Sequence, residues 1–148
     1  PIMVDTDPGH WSDIWKGGTI IGFYQGREAV RRTYSCDAHL DDLAVTIDHR
    51  ELCNTVVDAT RLTARFVDQL GNPLPYYNGI LSIETSSNLE VIGPNTVAVV
   101  GGRIGCWIKT KPVCRAETGT VTVRALNTDI PEKVLTIQLR PDENIRCL

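Results

Sequence analysis

The chain has 148 residues, with 15 basic against 18 acidic side chains and a formal charge of −3. That is the size of one domain, and the charge is too balanced for the broad positive field that nucleic acid or an anionic membrane surface requires. No run approaches the ~18 apolar residues of a membrane span, and Pro1-Ile2-Met3-Val4-Asp5 lacks the charged and apolar regions of a signal peptide.

Residues 1–16 show no sustained period and are expected to be a linker or the incomplete edge of something upstream. A chain that opens on Pro1 rather than Met suggests a piece excised from a longer one. Val4-Asp5-Thr6-Asp7-Pro8-Gly9 resembles the calcium-binding aspartate motif of nucleoside hydrolases. The adjacent aspartates that follow in that family are replaced here by His10-Trp11-Ser12-Asp13, so the segment is read as a turn. A β-hairpin is expected next, from Thr19 to Tyr24, a turn at Gln25-Gly26, then Glu28 to Tyr34.

From about Leu40 onward short stretches with a period of two are separated by turn residues, and no window sustains helical spacing. Expected strands are Leu43 to Ile47, Arg61 to Val67, Gly79 to Glu84, Asn88 to Ile92, Thr96 to Val100, Arg103 to Lys109, Thr120 to Ala125 and Val134 to Leu139. Leu62, Ala64 and Phe66 alternate with Arg61, Thr63 and Arg65, as a strand with one wet side requires. Val121, Val123 and Ala125, then Leu135, Ile137 and Leu139, repeat the device. Gly71-Asn72-Pro73, Gly93-Pro94-Asn95, Gly101-Gly102 and Gly119 punctuate the runs. The expected fold is all-β, an immunoglobulin-like antiparallel β-sandwich of about seven or eight strands with an N-terminal β-hairpin appendage. Residues 1–38 form the linker and hairpin at the edge of a preceding domain, and residues 39–148 form the sandwich.

Chemistry-bearing residues are sparse. Cys36, Cys53, Cys106, Cys114 and Cys147 are odd in number and irregularly spaced, with no Cys-x-x-Cys. With only His10, His39 and His49 beside them, they give no zinc pattern, and neither a metal nor another cofactor is expected. Free thiols point to a cytoplasmic protein. Cys106 falls in phase with Ile104 and Ile108 and is expected to be buried and inert, with a bond to Cys114 as the alternative. Paired carboxylates for glycoside hydrolysis must face each other across a cleft. Asp41 and Asp42 are adjacent and point to opposite faces, Asp48, Asp58 and Asp68 sit near strand ends as solvated groups, and Glu84 and Glu90 face outward. No catalytic residue is assigned, and none of these carboxylates is expected to titrate abnormally. Trp107 lies out of phase with the core and is the leading candidate for a covered surface, either inter-domain packing or sugar stacking, unless the strand phase is wrong. Trp11 and Trp15 are candidates for the same role.

The run Val57-Asp58-Ala59-Thr60-Arg61-Leu62-Thr63 with Val67-Asp68-Gln69-Leu70-Gly71-Asn72-Pro73-Leu74-Pro75 resembles the C-terminal immunoglobulin-like domains of family-two glycoside hydrolases, the group of bacterial β-galactosidases. Glu90-Val91-Ile92-Gly93-Pro94-Asn95, Gly101-Gly102, Cys106-Trp107-Ile108-Lys109-Thr110 and Gly119-Thr120-Val121-Thr122-Val123-Arg124-Ala125 extend the similarity. Gly22-Phe23-Tyr24-Gln25-Gly26-Arg27-Glu28-Ala29-Val30 resembles the hairpin that ends the preceding domain there. The resemblance, over about residues 20 to 126, implies a non-catalytic accessory domain that packs on the catalytic and other domains of the same polypeptide. A homodimer contact or bound carbohydrate is a further option, and no nucleic acid or membrane is implied. The family's catalytic glutamates lie in a (β/α)8 barrel, so none transfers to this chain. Val-x-Asp-x-x-Gly-Asn-Pro with Gly-Thr-Val-Thr-Val also resembles the Ig-like repeats of invasin-type adhesins. That family, or a carbohydrate-binding module, is the alternative.

Overall fold

The computed structural model describes residues 16–112 and 115–142. The Val4-to-Gly9 segment, Trp11, Trp15, Cys114 and Cys147 lie outside the described residues. In chain order the strands are β1 (Gly17–Tyr24), β2 (Arg27–Ser35), β3 (Leu40–Ile47), β4 (Glu51–Cys53), β5 (Ala59–Asp68), β6 (Gly79–Thr85), β7 (Leu89–Ile92), β8 (Thr96–Val99), β9 (Arg103–Thr110), β10 (Glu117–Leu126) and β11 (Lys133–Arg140). They form a β1-β2 hairpin, a four-stranded sheet ordered β3-β5-β9-β7 and a five-stranded sheet ordered β4-β11-β10-β6-β8.

The two larger sheets exist because their sequences alternate. On β5, Leu62, Ala64 and Phe66 are fully buried while Arg61 and Arg65 are exposed. Across the sandwich, β10 and β11 present Val121, Val123, Ala125, Leu135, Ile137 and Leu139 to the same core as Leu43, Leu81, Ile83, Leu89 and Ile108. Register is fixed by these faces, since a slip of one residue would turn every apolar side chain outward. The expected strands and hairpin are all present.

Three details depart from expectation. β4 was not foreseen, and it joins β11 in parallel, Leu52 opposite Leu139, so the sandwich is not wholly antiparallel. Pairing of β3 with β5 shifts between Leu40 and Asp42. Asp41 is left exposed there, while Asp42 reaches Lys133 of the other sheet at 2.7 Å. Cys106 shares the inward phase of Ile104 and Ile108 but is half-buried. β7 pairs only with Trp107–Thr110 of β9, so the earlier part of β9 lies at the margin of the core.

The turn after β5 is built by its own sequence. The Asp68 carboxylate accepts the backbone N–H groups of Leu70 at 2.9 Å and Asn72 at 2.8 Å, and the Asn72 amide at 3.2 Å. Gly71 supplies φ +77° at the position that demands it. Pro73 sits opposite Val67 between two ladder bonds, Asp68 N–H to Asn72 O at 2.9 Å and Leu74 N–H to Phe66 O at 3.0 Å. Its missing N–H therefore costs no pairing. The Asn72 amide also donates to Thr33 O of β2 at 2.7 Å, which ties the hairpin to the sandwich.

Candidate functional site

Two surfaces stand out, and the first surrounds Trp107. β9 directs Ile104, Cys106 and Ile108 inward, so Trp107 faces out and is 50% exposed. In register it lies between Arg61 of β5 and Ile92 of β7, and Ile92 is 52% exposed. Gly105, two residues before it on the same face, leaves bare backbone beside the indole. Arg61 is held by Asp48 at 3.1 Å and Lys109 by Glu90 at 3.3 Å. Two half-exposed apolar side chains, Trp107 and Ile92, therefore stand side by side with an ion pair next to each. Trp107 is where the sequence places it. Ile92 carries a similar signal in the sequence, an outward phase beside the buried Val91.

The hairpin is the second unusual surface. Its register places Ile20, Tyr24, Val30 and Tyr34 on one face, and all four are exposed. At its base a cleft of about 790 Å³ opens between Arg32, Tyr34 and Ser35 of the hairpin, Arg65 of β5, His39, and the turn from Gly71 to Tyr77. Gly102 seats that turn, donating its N–H to Tyr77 O and accepting from Phe66 N–H, each at 2.8 Å. The Tyr77 ring rests on Phe66 with centroids 4.5 Å apart, whereas Tyr76 is 95% exposed. The signal for this cleft was the Pro75-Tyr76-Tyr77 run, which carries two aromatic side chains in a turn.

Two carboxylates correct the expectation that none titrates abnormally. Asp68 is buried rather than solvated. Burial alone would push its carboxyl up, but the Asn72 backbone N–H, the Asn72 amide, the Leu70 N–H and the nearby His39 together hold it below the usual range. Asp42 is lowered chiefly by its bond to Lys133. Among the thiols, burial pushes Cys106 up, while the N–H groups of Thr55 and Val56 draw Cys53 down. Cys36, Cys53 and Cys106 are unpaired.

Glu84 projects from β6 of the five-stranded sheet and Glu90 from β7 of the other, both outward. They point away from each other on opposite faces of the sandwich. Among the described residues no cluster of three or more His, Cys, Asp or Glu is placed to hold a metal. No helix there is long and apolar enough to cross a membrane.

No protein-family model matches the chain. Over 108 residues it is 36% identical to a β-galactosidase of Thermoanaerobacterium thermosulfurigenes, covering 69% of this chain and 15% of that protein. A β-galactosidase sequence of Rhizobium radiobacter is 28% identical over 120 residues, 81% of this chain and 87% of the relative. Among solved structures, a β-glycosidase from Bacteroides vulgatus matches with a TM-score of 0.68 at 19% identity, over 84% of this chain and 18% of that one. A glycosyl hydrolase family 2 member from Bacteroides cellulosilyticus matches with a TM-score of 0.67 at 13% identity, over 84% and 17%. These structures establish the shared fold. The homologues of this chain are β-galactosidases, and it spans about 15% of the length of the first of them.

Proposed function

We propose that the chain is a non-catalytic accessory module of a β-galactosidase-like glycoside hydrolase, packed against neighbouring domains of the same polypeptide. Residues 39–148 are its immunoglobulin-like unit, and residues 1–38 are a linker and hairpin belonging to the edge of the domain before it. The observation that carries the reading is the Trp107–Ile92 spot. Two half-exposed apolar side chains stand together on the outer face of a sheet whose core is already complete on its other side. The hairpin adds support, because a two-stranded ribbon that exposes Ile20, Phe23, Tyr24 and Val30 is marginal alone and gains stability only when covered. The divergence of Glu84 and Glu90 fits a module that supplies no acid–base pair. Unpaired thiols fit a cytoplasmic location.

Trp107→Ala tests it. In this chain alone the substitution leaves the denaturant midpoint nearly unchanged. In the longer polypeptide it loosens docking of the module by about 2 kcal/mol or more, the scale of a Trp at an interface centre. A loss of about 3 to 5 kcal/mol in the chain alone would make Trp107 a core residue. A fluorescence shift on adding galactans to the wild type and not to the variant would make the spot a sugar platform.

A further inference from the structure

We propose that the cleft at the base of the hairpin binds a carboxylate-bearing saccharide, a uronate unit. The inference goes beyond the accessory reading and does not rest on it, since it concerns the base of the hairpin rather than the Trp107 spot that carries that reading. Volume comes first: about 790 Å³ lies in the range of small-ligand sites.

Charge comes second. Arg65 lies directly opposite Arg103 in the β5–β9 register, an arrangement of like charges that costs stability unless an anion intervenes. Arg31, Arg61, Arg115, Arg124 and Arg140 each have a carboxylate partner. Arg27, Arg32, Arg50, Arg65 and Arg103 have none among the described residues, and of these Arg32 and Arg65 line the cleft together. The Asp68 carboxylate also lines it, but its oxygens are taken by Leu70 and Asn72 of its own turn. The cleft therefore holds two guanidinium groups against one carboxylate whose oxygens are already bonded, and their planar donors match a second carboxylate.

Shape supplies the sugar. Tyr34 and Tyr76 line the cleft with aromatic rings and phenolic hydroxyls, one 39% and the other 95% exposed. Tyr77 is pinned on Phe66 behind them. An aromatic side chain held in water by a turn this well bonded gains nothing for its own fold. Stacked on a pyranose it covers apolar surface while its hydroxyl remains solvated. Carboxylate to Arg32 and Arg65, ring to Tyr76 or Tyr34, is the binding mode that these groups can satisfy together.

The test is a titration of the whole chain with digalacturonate, followed by amide chemical shifts and calorimetry, with galactobiose, inorganic phosphate and a short poly-glutamate peptide as parallel arms. Saturable binding of digalacturonate is expected, with shifts at Tyr34, Arg65 and Tyr76. It should be weakened about tenfold or more in Arg65→Gln and in Tyr76→Ala. Tyr76→Ala should melt like the wild type because the side chain is exposed, and Arg65→Gln should melt no lower than the wild type because it removes the repulsion from Arg103. Galactobiose, phosphate and the peptide should bind at least tenfold more weakly. The proposal is overturned by no saturable binding of digalacturonate, by equal binding of any other arm, or by full binding in both variants. Equal binding of the peptide would assign the cleft to an acidic protein segment. None of these outcomes decides the accessory reading, which is tested by Trp107→Ala and by assay of the purified chain for turnover.

Discussion

At the scale of single residues, Asp68 shows a buried charge made affordable by its own turn. Removing the side chain leaves the buried Asn72 N–H without an acceptor and the Asn72 amide with one partner fewer. Asp68→Ala should therefore cost about 1 to 3 kcal/mol at pH 7. The pH dependence has a definite sign. The folded-state pKa is depressed, so the stabilisation is fully present above the unfolded aspartate value of about 4 and is lost as pH falls through the lower folded value. Urea melts at pH 7 and pH 3 check this, with the gap between wild type and variant expected to narrow in acid. A gap that is constant or widens would show that ionisation of Asp68 contributes nothing. The sequence made the turn legible, because Asp-x-x-Gly-Asn-Pro states its own backbone requirements. It did not make the burial legible, because the same turn forms equally well in water and only the packing of β2 and the following loop covers it.

At the scale of elements, legibility followed amphipathicity. β5, β10 and β11 alternate over six or more positions and were readable as strands with assigned faces. β4 spans three residues, too few to show a period, and it exists because the edge of β11 had unpaired backbone to offer. The bulge at Asp41 likewise depends on how β3 meets β5. Trp107 was readable as outward because β9 alternates around it, whereas the cleft required two segments distant in sequence, residues 32–40 and 65–77, neither of which announces the other. The loop that forms the cleft yields a sharp comparison. At Gly102, with φ +74°, an added Cβ would lie 1.9 Å from Leu74 O, whereas at Gly71, with φ +77°, it would meet nothing within 4 Å. Gly71→Ala should cost about 1 to 2 kcal/mol, the conformational term alone. Gly102→Ala should cost at least about 3 kcal/mol, because the loop must also move. Thermal melts of the two variants measure the difference, and equal losses would mean that the loop does not rest on Gly102 as described.

For the molecule as a whole, a complete sandwich core sits beside surfaces that its own packing does not use. Leu43, Leu62, Phe66, Leu81, Ile83 and Ile137 are sealed inside, while Trp107 and Ile92 on one sheet and the apolar face of the hairpin remain uncovered. A module of a larger enzyme has this distribution, and the length ratio to the Thermoanaerobacterium β-galactosidase agrees with it. The fold class was legible from alternation and turn residues, and the link to glycoside hydrolases from the motifs between residues 20 and 126. The proposed docking surface was legible only as an exposed Trp, since the side chains that would cover Trp107 leave no mark on the alternation of β9. The central claim is that the module performs no glycoside chemistry itself. Its most direct test is incubation of the purified chain at high concentration with chromogenic galactosides and glucuronides. No turnover above that of the buffer is expected. Turnover that survives rigorous purification and disappears in Glu84→Gln or Glu90→Gln would contradict it.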